Sequence, residues 1–376
     1  MMINKRMTNI EVKKSNRNRI FRYICKHDRV SNPDIAYELN ISLPTVTQNT
    51  KDLIKEGLVW EEGELQSTGG RRAKALSVIG DSRLAAGLDI TKNHISLLLT
   101  DMKGTLLHYC RIHHPFRPED EYYCEVNQRL EQFLEESGAD RRKLLGIGIS
   151  IPGIVDLERN MVAYSHILGI EAVPFTSISQ FFSYPCHFLN DANAGAYAEG
   201  ICSETAERFF YLSLSNTVGG AIFSSRDLVQ GKNFRCGEVG HMTIVPEGER
   251  CYCGRAGCLD AYCSAKRLSD WTEGKLEHFF ELLKEQDPAA LERWEQYTTY
   301  LAVAINNIHM VLDCDIVLGG YVGSYLEPYI PDIRRKVEKR ATFAEDSAYI
   351  RSCNYKIEAA ALGAAQKVIE TFIEQV

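Results

Sequence analysis

The sequence has no run of apolar residues long enough to cross a bilayer, and no apolar stretch follows its charged start, residues 1–14. We therefore predict neither a signal peptide nor a membrane partner, and we expect a cytoplasmic location. The bias of a disordered chain is also missing, since 45% hydrophobic and 25% charged residues are ordinary for a globular protein. At 376 residues the chain is long enough for two or three domains.

Positive charge is in the minority, because 43 Lys and Arg stand against 50 Asp and Glu and give a net charge of -7. The distribution is uneven. Residues 1–80 hold 14 basic and 9 acidic residues, a balance of +5 that leaves -12 for the remainder. A basic segment on an acidic body favours a polyanion-binding module at the N-terminal end, although a solvated basic face gives the same counts.

Cysteine is abundant, but nothing in the sequence predicts a disulfide-stabilised secreted protein. Nine of the twelve cysteines are scattered singly, and we expect most of them to be reduced core residues. The other three lie within eight residues of one another and need a separate explanation.

Three helices are predicted before residue 56. Residues 16–28 carry apolar side chains at helical spacing, Ser31 is placed to cap a second helix, and Asn40 ends it. Ser42 then caps a third helix, in which Pro44 is tolerated in the first turn. The apolar positions expected to face inward are Ile20, Phe21, Tyr23, Ile24, Ile35, Ala36, Leu39, Val46, Leu53 and Ile54.

The second and third helices are spaced as in a helix-turn-helix, whose second helix enters the DNA major groove. Residues 58–78 follow as two short strands around a glycine-rich tip, a wing whose Arg71 and Arg72 are placed to contact phosphate or the minor groove. A three-helix protein-interaction module has the same apolar spacing. The DNA-contacting residues predicted on the third helix are Ser42, Thr45, Thr47, Gln48, Asn49 and Lys51.

The stretch from Ser31 to Leu76 resembles the winged helix-turn-helix of the repressor branch of the ROK family (repressors, open reading frames and kinases), including the sequence GGRR at the wing tip. This resemblance implies that operator double-stranded DNA is a partner of the chain.

The segment GEVGHMTIVPEGERCYCGRAGCLD places His241 ten residues before Cys251, followed by Cys253 and Cys258. One histidine and three cysteines make a tetrahedral zinc site that leaves no position for a catalytic water, so a structural role is predicted. Gly254 and Gly257 allow the turn between the cysteines. The Cys-x-Cys-x4-Cys spacing departs from zinc fingers, and chance clustering or an oxidisable cysteine pair are the alternatives.

Beyond residue 82 the chain alternates strands and helices, with hairpins at residues 84–101 and 208–224, a helix at 121–136 and a strand at 315–320. This α/β body resembles the ROK domain, a two-lobed ribonuclease-H-like fold of the actin-like ATPase and sugar kinase type. The resemblance includes the family's zinc motif, a His after Gly and CxCGxxGCxE, and Asp260 here replaces the final Glu.

The glycine-rich phosphate loops of the ROK kinases are degenerate in this chain. The family's DIGGT stands as DITKN at Asp89–Asn93, so both glycines are gone. The second loop, GTGIGGG in kinases, reads SNTVGGA at residues 215–221. Side chains at these positions crowd a phosphate that needs close backbone contact. We therefore expect no enzymatic activity, with residual sugar kinase activity as the alternative.

The family's sugar site is retained better, in the run NDANAGAYAE. The resemblance assigns sugar contacts to Asn190, Asp191, Glu238, His241 and Asp260, and Asp191 is the general base if the chain is a kinase. Capping of the following helix is the structural alternative for Asp191. Because Asp is one bond shorter than Glu, about 1.5 Å, the sugar preference at Asp260 stays open.

Together these features predict a sugar-responsive transcriptional regulator, a repressor of carbohydrate-utilisation genes that acts as a homodimer or a dimer of dimers. An ATP-dependent hexose kinase and a DNA-binding scaffold with a dead sugar pocket are the alternatives. The expected domains are residues 1–80 for the winged helix and 84–376 for the ROK domain, whose lobes are about 84–193 plus the C-terminal helix and 194–360.

Overall fold

The computed structural model describes residues 9–64, 74–201, 208–343 and 346–376. Among these residues no helix is both long and apolar enough to span a bilayer. The eleven described cysteines are all free of disulfide bonds. Arg71 and Arg72, which were predicted to contact DNA from the wing tip, lie outside the described residues.

The N-terminal unit, called the head below, is three helices and a two-stranded antiparallel wing. Ser31 caps the second helix through a capping box with Asp34, and the Ser42 side chain accepts a hydrogen bond from the amide of Thr45. Both caps confirm the sequence prediction, whereas the first helix begins seven residues earlier than expected. The elements are α1 (Asn9–Lys26), α2 (Asn32–Leu39), α3 (Leu43–Lys55), β1 (Val59–Glu64) and β2 (Lys74–Val78).

The first lobe is a five-stranded sheet, in which an antiparallel meander continues into two parallel strands. The strands at residues 84–90 and 94–101 are almost wholly buried apolar runs, which explains why the sequence predicted them. The elements are β3 (Leu84–Ile90), β4 (His94–Asp101), β5 (Leu106–His113), α4 (Asp120–Glu136), β6 (Leu144–Ile151), β7 (Ile154–Asp156), β8 (Met161–Ser165), β9 (Ile170–Pro174), α5 (Thr176–Ser179), β10 (Cys186–Asn190) and α6 (Asp191–Ile201).

The second lobe repeats this topology, because its first three strands are again an antiparallel meander whose first strand pairs in parallel with a fourth. The elements are β11 (Arg208–Leu214), β12 (Val218–Ser224), β13 (Asp227–Leu228), α7 (Asp260–Cys263), α8 (Lys266–Ser269), α9 (Leu276–Lys284), α10 (Pro288–Leu312), β14 (Asp315–Gly319), α11 (Gly320–Gly323), α12 (Ile330–Glu338), β15 (Ile350–Ser352) and α13 (Ala359–Gln375).

Helix α13 joins the two lobes and the head. A Cβ atom at Gly363 would lie 1.8 Å from the carbonyl oxygen of Ala194, so α13 crosses α6 at backbone contact. On its other side α13 shares one hydrophobic cluster with α1, in which Ile369 and Ile373 pack with the head residues Ile20 and Phe21. The alanine and glycine run at residues 361–365 is therefore a packing feature, as the sequence indicated.

Candidate functional site

A cavity of about 440 Å³ lies where β10, α6 and β12 meet the segment between β13 and α7. We call it the central cavity, and its volume is in the range of small-molecule sites. Of the five residues predicted to contact sugar, four line it: Asn190, Asp191, Glu238 and His241. The other lining residues include Gly153, Tyr164, His166, Thr217, Gly219, Gly220, Arg235, Tyr252 and Cys253.

Asn190 and Asp191 are fixed by the start of α6. The Asn190 side chain donates to the carbonyl oxygen of Gly153 at 2.8 Å and to Asp191 Oδ1 at 2.9 Å. Its own oxygen accepts from the amide of Asn193 at 3.0 Å, so Asn190, and not Asp191, caps the helix. The Asp191 carboxylate consequently faces the cavity with its orientation set by an amide and the first turn of α6.

Two carboxylates face each other across the central cavity. Burial raises the pKa of Glu238, with a further contribution from the charge of Asp191, while Arg235 opposes the shift. Burial also raises the pKa of Asp191. The amides at the start of the helix and the Asn190 side chain oppose this shift, because they stabilise the ionised form. Paired carboxylates beside an amide and an arginine can bind neighbouring hydroxyl groups by directional hydrogen bonds.

Asp260 does not line the central cavity. Its buried carboxylate accepts a hydrogen bond from the amide of Val218 at 2.6 Å, and so ties the start of β12 to α7. The sugar contact predicted at Asp260 stays a prediction, since one oxygen of this carboxylate is engaged by the backbone. Asp260 holds the start of β12 in position behind the cavity wall.

The candidate metal centre adjoins the cavity. The ligand atoms of His241, Cys251, Cys253 and Cys258 all lie within 4.8 Å of one another. The sulfurs of Cys253 and Cys258 are 3.7 Å apart, and a tetrahedral site with zinc–sulfur bonds of 2.3 Å requires about 3.8 Å. Gly254 and Gly257 both have positive φ, 85° and 82°, which confirms that glycine is needed in this turn. The donor set and spacing therefore fit zinc.

His241 connects the metal centre to the cavity wall. Its Nδ1 is 3.8 Å from the Cys251 sulfur, and its Nε2 is 3.2 Å from the hydroxyl of Tyr252. The Nε2 atom of His241 is thus engaged by Tyr252, and a direct contact of His241 with sugar stays a prediction. The Tyr252 ring in turn stacks on His166 of the first lobe, with 4.5 Å between ring centroids.

Sequence reasoning missed Arg235, Tyr252 and His166. Tyr252 lies between two of the predicted cysteine ligands, so its sequence position alone was a signal that it belongs to the site. His166 follows β8, in a small sheet whose short strands gave no periodic pattern. Nothing in the sequence indicated that the loop after β8 contacts the segment that carries the metal ligands.

The cleft beside the central cavity is much smaller, about 70 Å³, and the two share Pro152, Ile167, Asp191 and Thr217. Thr91 stands where the kinase loop has glycine, and its hydroxyl donates to the carbonyl oxygen of His94 at 2.9 Å. Across the cleft, Arg111 lies over the ring of Tyr321, 5.1 Å from the centroid. Side chains of both lobes, among them Thr91 and Tyr321, line this cleft.

Asp89 in this cleft is 6% exposed and accepts a hydrogen bond from the Ser150 hydroxyl at 2.8 Å. Burial raises its pKa to about 7, although the Ser150 bond opposes the shift. An unfolded Asp ionises near 3.9. Between these values the unfolded chain releases a proton that the folded chain keeps, so the contribution of Asp89 to stability falls as pH rises and is fully unfavourable above about 7.

We predict that Asp89→Asn raises the melting temperature at pH 8 and changes it little at pH 4, because the amide carries no charge to bury. The gain at pH 8 is on the order of 2 kcal/mol. Thermal unfolding of both proteins from pH 4 to 8 measures it, with Asp270→Asn at an exposed position as control. An equal effect at both pH values would contradict the assignment.

In the head, Gln48 and Lys51 of α3 and its capping residue Ser42 are exposed to solvent, and Thr45 and Thr47 are partly exposed. Gln48 donates to Asp52 at 3.1 Å. Asn49 was predicted on this outward face, but it is 3% exposed and donates to the carbonyl oxygen of Thr45 at 2.7 Å. It therefore lies on the buried face of the helix. Sequence reasoning missed two exposed apolar side chains beside this face, Leu43 and Tyr37.

Comparison with known proteins gives the same two parts. Residues 85–371 match the ROK family, and residues 14–59 match the winged helix-turn-helix DNA-binding family. The chain is 28% identical over 378 residues to the xylose repressor of Bacillus spizizenii, covering 96% of this chain and 97% of that protein.

Two solved structures show the fold. A ROK family transcriptional regulator, a homologue of the Escherichia coli Mlc protein, superposes with a TM-score of 0.78 at 22% identity over 97% of both chains. The ROK hexokinase of Thermus thermophilus superposes with a TM-score of 0.61 at 26% identity, covering 75% of this chain and 96% of that one. The first includes the head, whereas the second matches three quarters of the chain.

Proposed function

The chain belongs to the ROK family, and on that premise we propose that it is a sugar-responsive transcriptional repressor of carbohydrate-utilisation genes. The observation that carries this proposal is the attachment of a winged helix-turn-helix to a body whose cavity of about 440 Å³ is lined by an amide and two carboxylates. The head, residues 1–80, binds operator DNA. The body, residues 84–376 in two lobes, binds the effector.

The effector is a sugar, and xylose is the first candidate because the Bacillus spizizenii relative is a xylose repressor. In this proposal Asn190, Asp191, Glu238 and Arg235 bind hydroxyl groups in the central cavity. Asp191 and Glu238 accept hydrogen bonds when ionised, and Arg235 donates them. Tyr252 closes the wall next to His241.

A zinc ion would be held by His241, Cys251, Cys253 and Cys258. Four protein ligands leave no open position, so the ion supplies rigidity and no reaction chemistry. Bound there, it fixes the segment that carries Glu238, His241 and Tyr252 against the cavity. The site is structural in this proposal, and it acts on sugar binding only by holding this wall in place.

We assign no enzymatic activity to the chain. A cleft of about 70 Å³ is far below the volume that nucleotide-sized ligands occupy, and Thr91 and Lys92 replace the glycines of the phosphate loop. Burial raises the pKa of Asp89 in this cleft to about 7. A hexose-dependent consumption of ATP at about one turnover per second would contradict this assignment.

The contacts of α6, α13 and α1 connect the cavity to the head. Asp191 begins α6, Ala194 of α6 touches Gly363 of α13, and Ile369 of α13 packs with the head. Arg22 of α1 also forms an ion pair with Glu370. Because these contacts are close-packed, a sugar that shifts α6 also shifts the support of the head.

A repressor with this head acts as a homodimer or a dimer of dimers. Two heads must meet half-sites about 34 Å apart on one face of DNA. A small change in the angle between head and body alters that spacing, and operator affinity changes with it.

The sugar assignment is tested with Asp191→Ala. We expect the variant to bind DNA selected by the wild-type protein from a random duplex pool with unchanged affinity, and to lose the sugar-dependent change in that affinity. Fluorescence anisotropy with and without xylose, glucose and N-acetylglucosamine measures both. Retained sugar response in the variant would exclude the central cavity as the effector site, and joint loss of DNA binding and melting transition would indicate misfolding.

The head is tested along α3. Lys51→Ala should weaken DNA binding for all sequences and reduce the slope of log affinity against log salt by about 0.9, as expected for one lost phosphate contact. Gln48→Ala should relax preference among operator variants. Asn49→Ala is the matched control: since its side chain is internal, it should lower stability without changing sequence preference.

A further inference from the structure

A second cavity, of about 450 Å³, lies at the junction of the head and the body. We call it the junction cavity. It is formed by α1 of the head, by α13 and the end of α6, and by the β4–β5 and β12–β13 turns of the body. Four cationic side chains and two carboxylates line it: Arg22, Lys26, Lys103, Arg226, Asp101 and Glu370. It lies apart from the central cavity, with which it shares no lining residue.

Both carboxylates of the junction cavity are already engaged. Glu370 forms the ion pair with Arg22. Asp101 Oδ1 accepts hydrogen bonds from the backbone amides of Lys103 and Thr105, each at 2.9 Å, and so closes the β4–β5 turn. The Lys103 ammonium group is 3.8 Å from the exposed carboxylate of Asp28.

Lys26 and Arg226 are left facing the cavity without an acidic partner among the residues that the structure describes. The Nε atom of Arg226 is buried and has no hydrogen-bond partner there. Burial and then the charge of Arg226 lower the pKa of Lys26, and burial and then Arg22 lower that of Arg226. The cations repel one another across the cavity, and an anion between them would remove this repulsion.

The turn that carries Arg226 is strained. Ser225 and Arg226 both have positive φ, 52° and 67°, in the tight turn between β12 and β13. Such turns favour Asn and Gly, and other residues held there are strained. The β12–β13 turn therefore holds a guanidinium group at the cavity at the expense of backbone strain.

From this arrangement we infer that the junction cavity binds a small anion bearing a phosphate group, clamped between Lys26 of the head and Arg226 of the body. A guanidinium fork matches two phosphate oxygens, and the ammonium group adds a point charge. The anion is a ligand additional to DNA and sugar. Since it contacts both parts, it restricts the motion of the head on the body and is a second input to DNA binding.

Calorimetric titration of the full-length protein with inorganic phosphate tests this inference, with chloride keeping the ionic strength constant. We expect one saturable site per chain. Arg226→Asn removes the charge while keeping a residue that tolerates positive φ, and Lys26→Ala removes the charge from the head. Each should weaken phosphate binding at least tenfold. Lys284→Ala, at an exposed position on α9, and Asp191→Ala should leave it unchanged.

Hydrogen exchange supplies the second measurement. Phosphate should slow exchange in α1 and in the last turns of α13 in the wild-type protein and not in Arg226→Asn. Absence of phosphate binding in the wild type, equal binding in Arg226→Asn and Lys26→Ala, or loss of binding only in Arg235→Ala would each overturn the inference. The last of these would place the phosphate in the central cavity. None of these outcomes bears on sugar response, which Asp191→Ala tests independently.

Discussion

Replacement of Cys258 by serine should remove the metal and abolish the response to sugar. Cys258 is buried, and its sulfur is 3.7 Å from that of Cys253. A serine hydroxyl is a poor zinc ligand, and a site left with three donors should bind zinc at least about a hundredfold more weakly, since even changes in supporting residues cost 10- to 100-fold. Mass spectrometry under native conditions should find one zinc per chain in the wild type and none in the variant.

The loss of structure in Cys258→Ser should be confined to the metal-binding segment before it affects the whole protein. The segment from Gly237 to Cys258 has two isolated backbone bridges, Thr243 with Cys258 and Arg250 with Ala256, and little regular structure. Without the ion, these contacts are left to hold the wall that carries Glu238 and Tyr252. We therefore expect hydrogen exchange to increase across this segment, whereas α1 and the strands of the first lobe keep their protection.

Cys124→Ser is the matched control, because Cys124 is an exposed cysteine on α4, outside the metal cluster. It should keep one zinc, the wild-type melting temperature and the sugar response. A Cys258→Ser protein that still holds one zinc and still responds to sugar would refute the metal assignment. Zinc loss with a full sugar response would refute only the proposed support of the cavity wall.

The metal cluster was predicted from sequence because its ligands are chemically distinctive and close along the chain. The sugar residues were predicted from a motif, and the structure places four of five at one cavity. Asp260 is not part of that lining, and its carboxylate accepts a hydrogen bond from the amide of Val218. Motifs identify residue types, but the reach of a side chain depends on the backbone around it.

The strands and caps of the fold were predictable for local reasons. Buried strands such as β3 and β4 are continuous apolar runs, and Ser31 and Ser42 precede apolar helices. Asn49 was misplaced because helical spacing alone does not say where an amide near the edge of the buried face points. The junction cavity was not predictable at all, since its residues come from five segments between Arg22 and Ile373 that meet only in the folded chain.

Gly363→Ala should destabilise the protein strongly although it lies away from the two binding sites. Its Cβ would lie 1.8 Å from the carbonyl oxygen of Ala194 and 2.6 Å from its carbonyl carbon, so the backbones of α6 and α13 must separate. Overpacking of this kind costs typically up to 3 kcal/mol and occasionally more, and the better helix propensity of Ala returns only about 1 kcal/mol. We expect a net loss of about 2 kcal/mol and a melting temperature lowered by roughly 5 °C.

The same substitution should also disturb signalling, because α6 begins at Asp191 and α13 supports the head. DNA affinity in Gly363→Ala should respond less to sugar than in the wild type, even where calorimetry shows that the sugar still binds. Glu374→Ala, at an exposed position of α13, is the control and should change neither property. A wild-type melting temperature together with a normal sugar response in Gly363→Ala would show that α6 and α13 are not the connection between cavity and head.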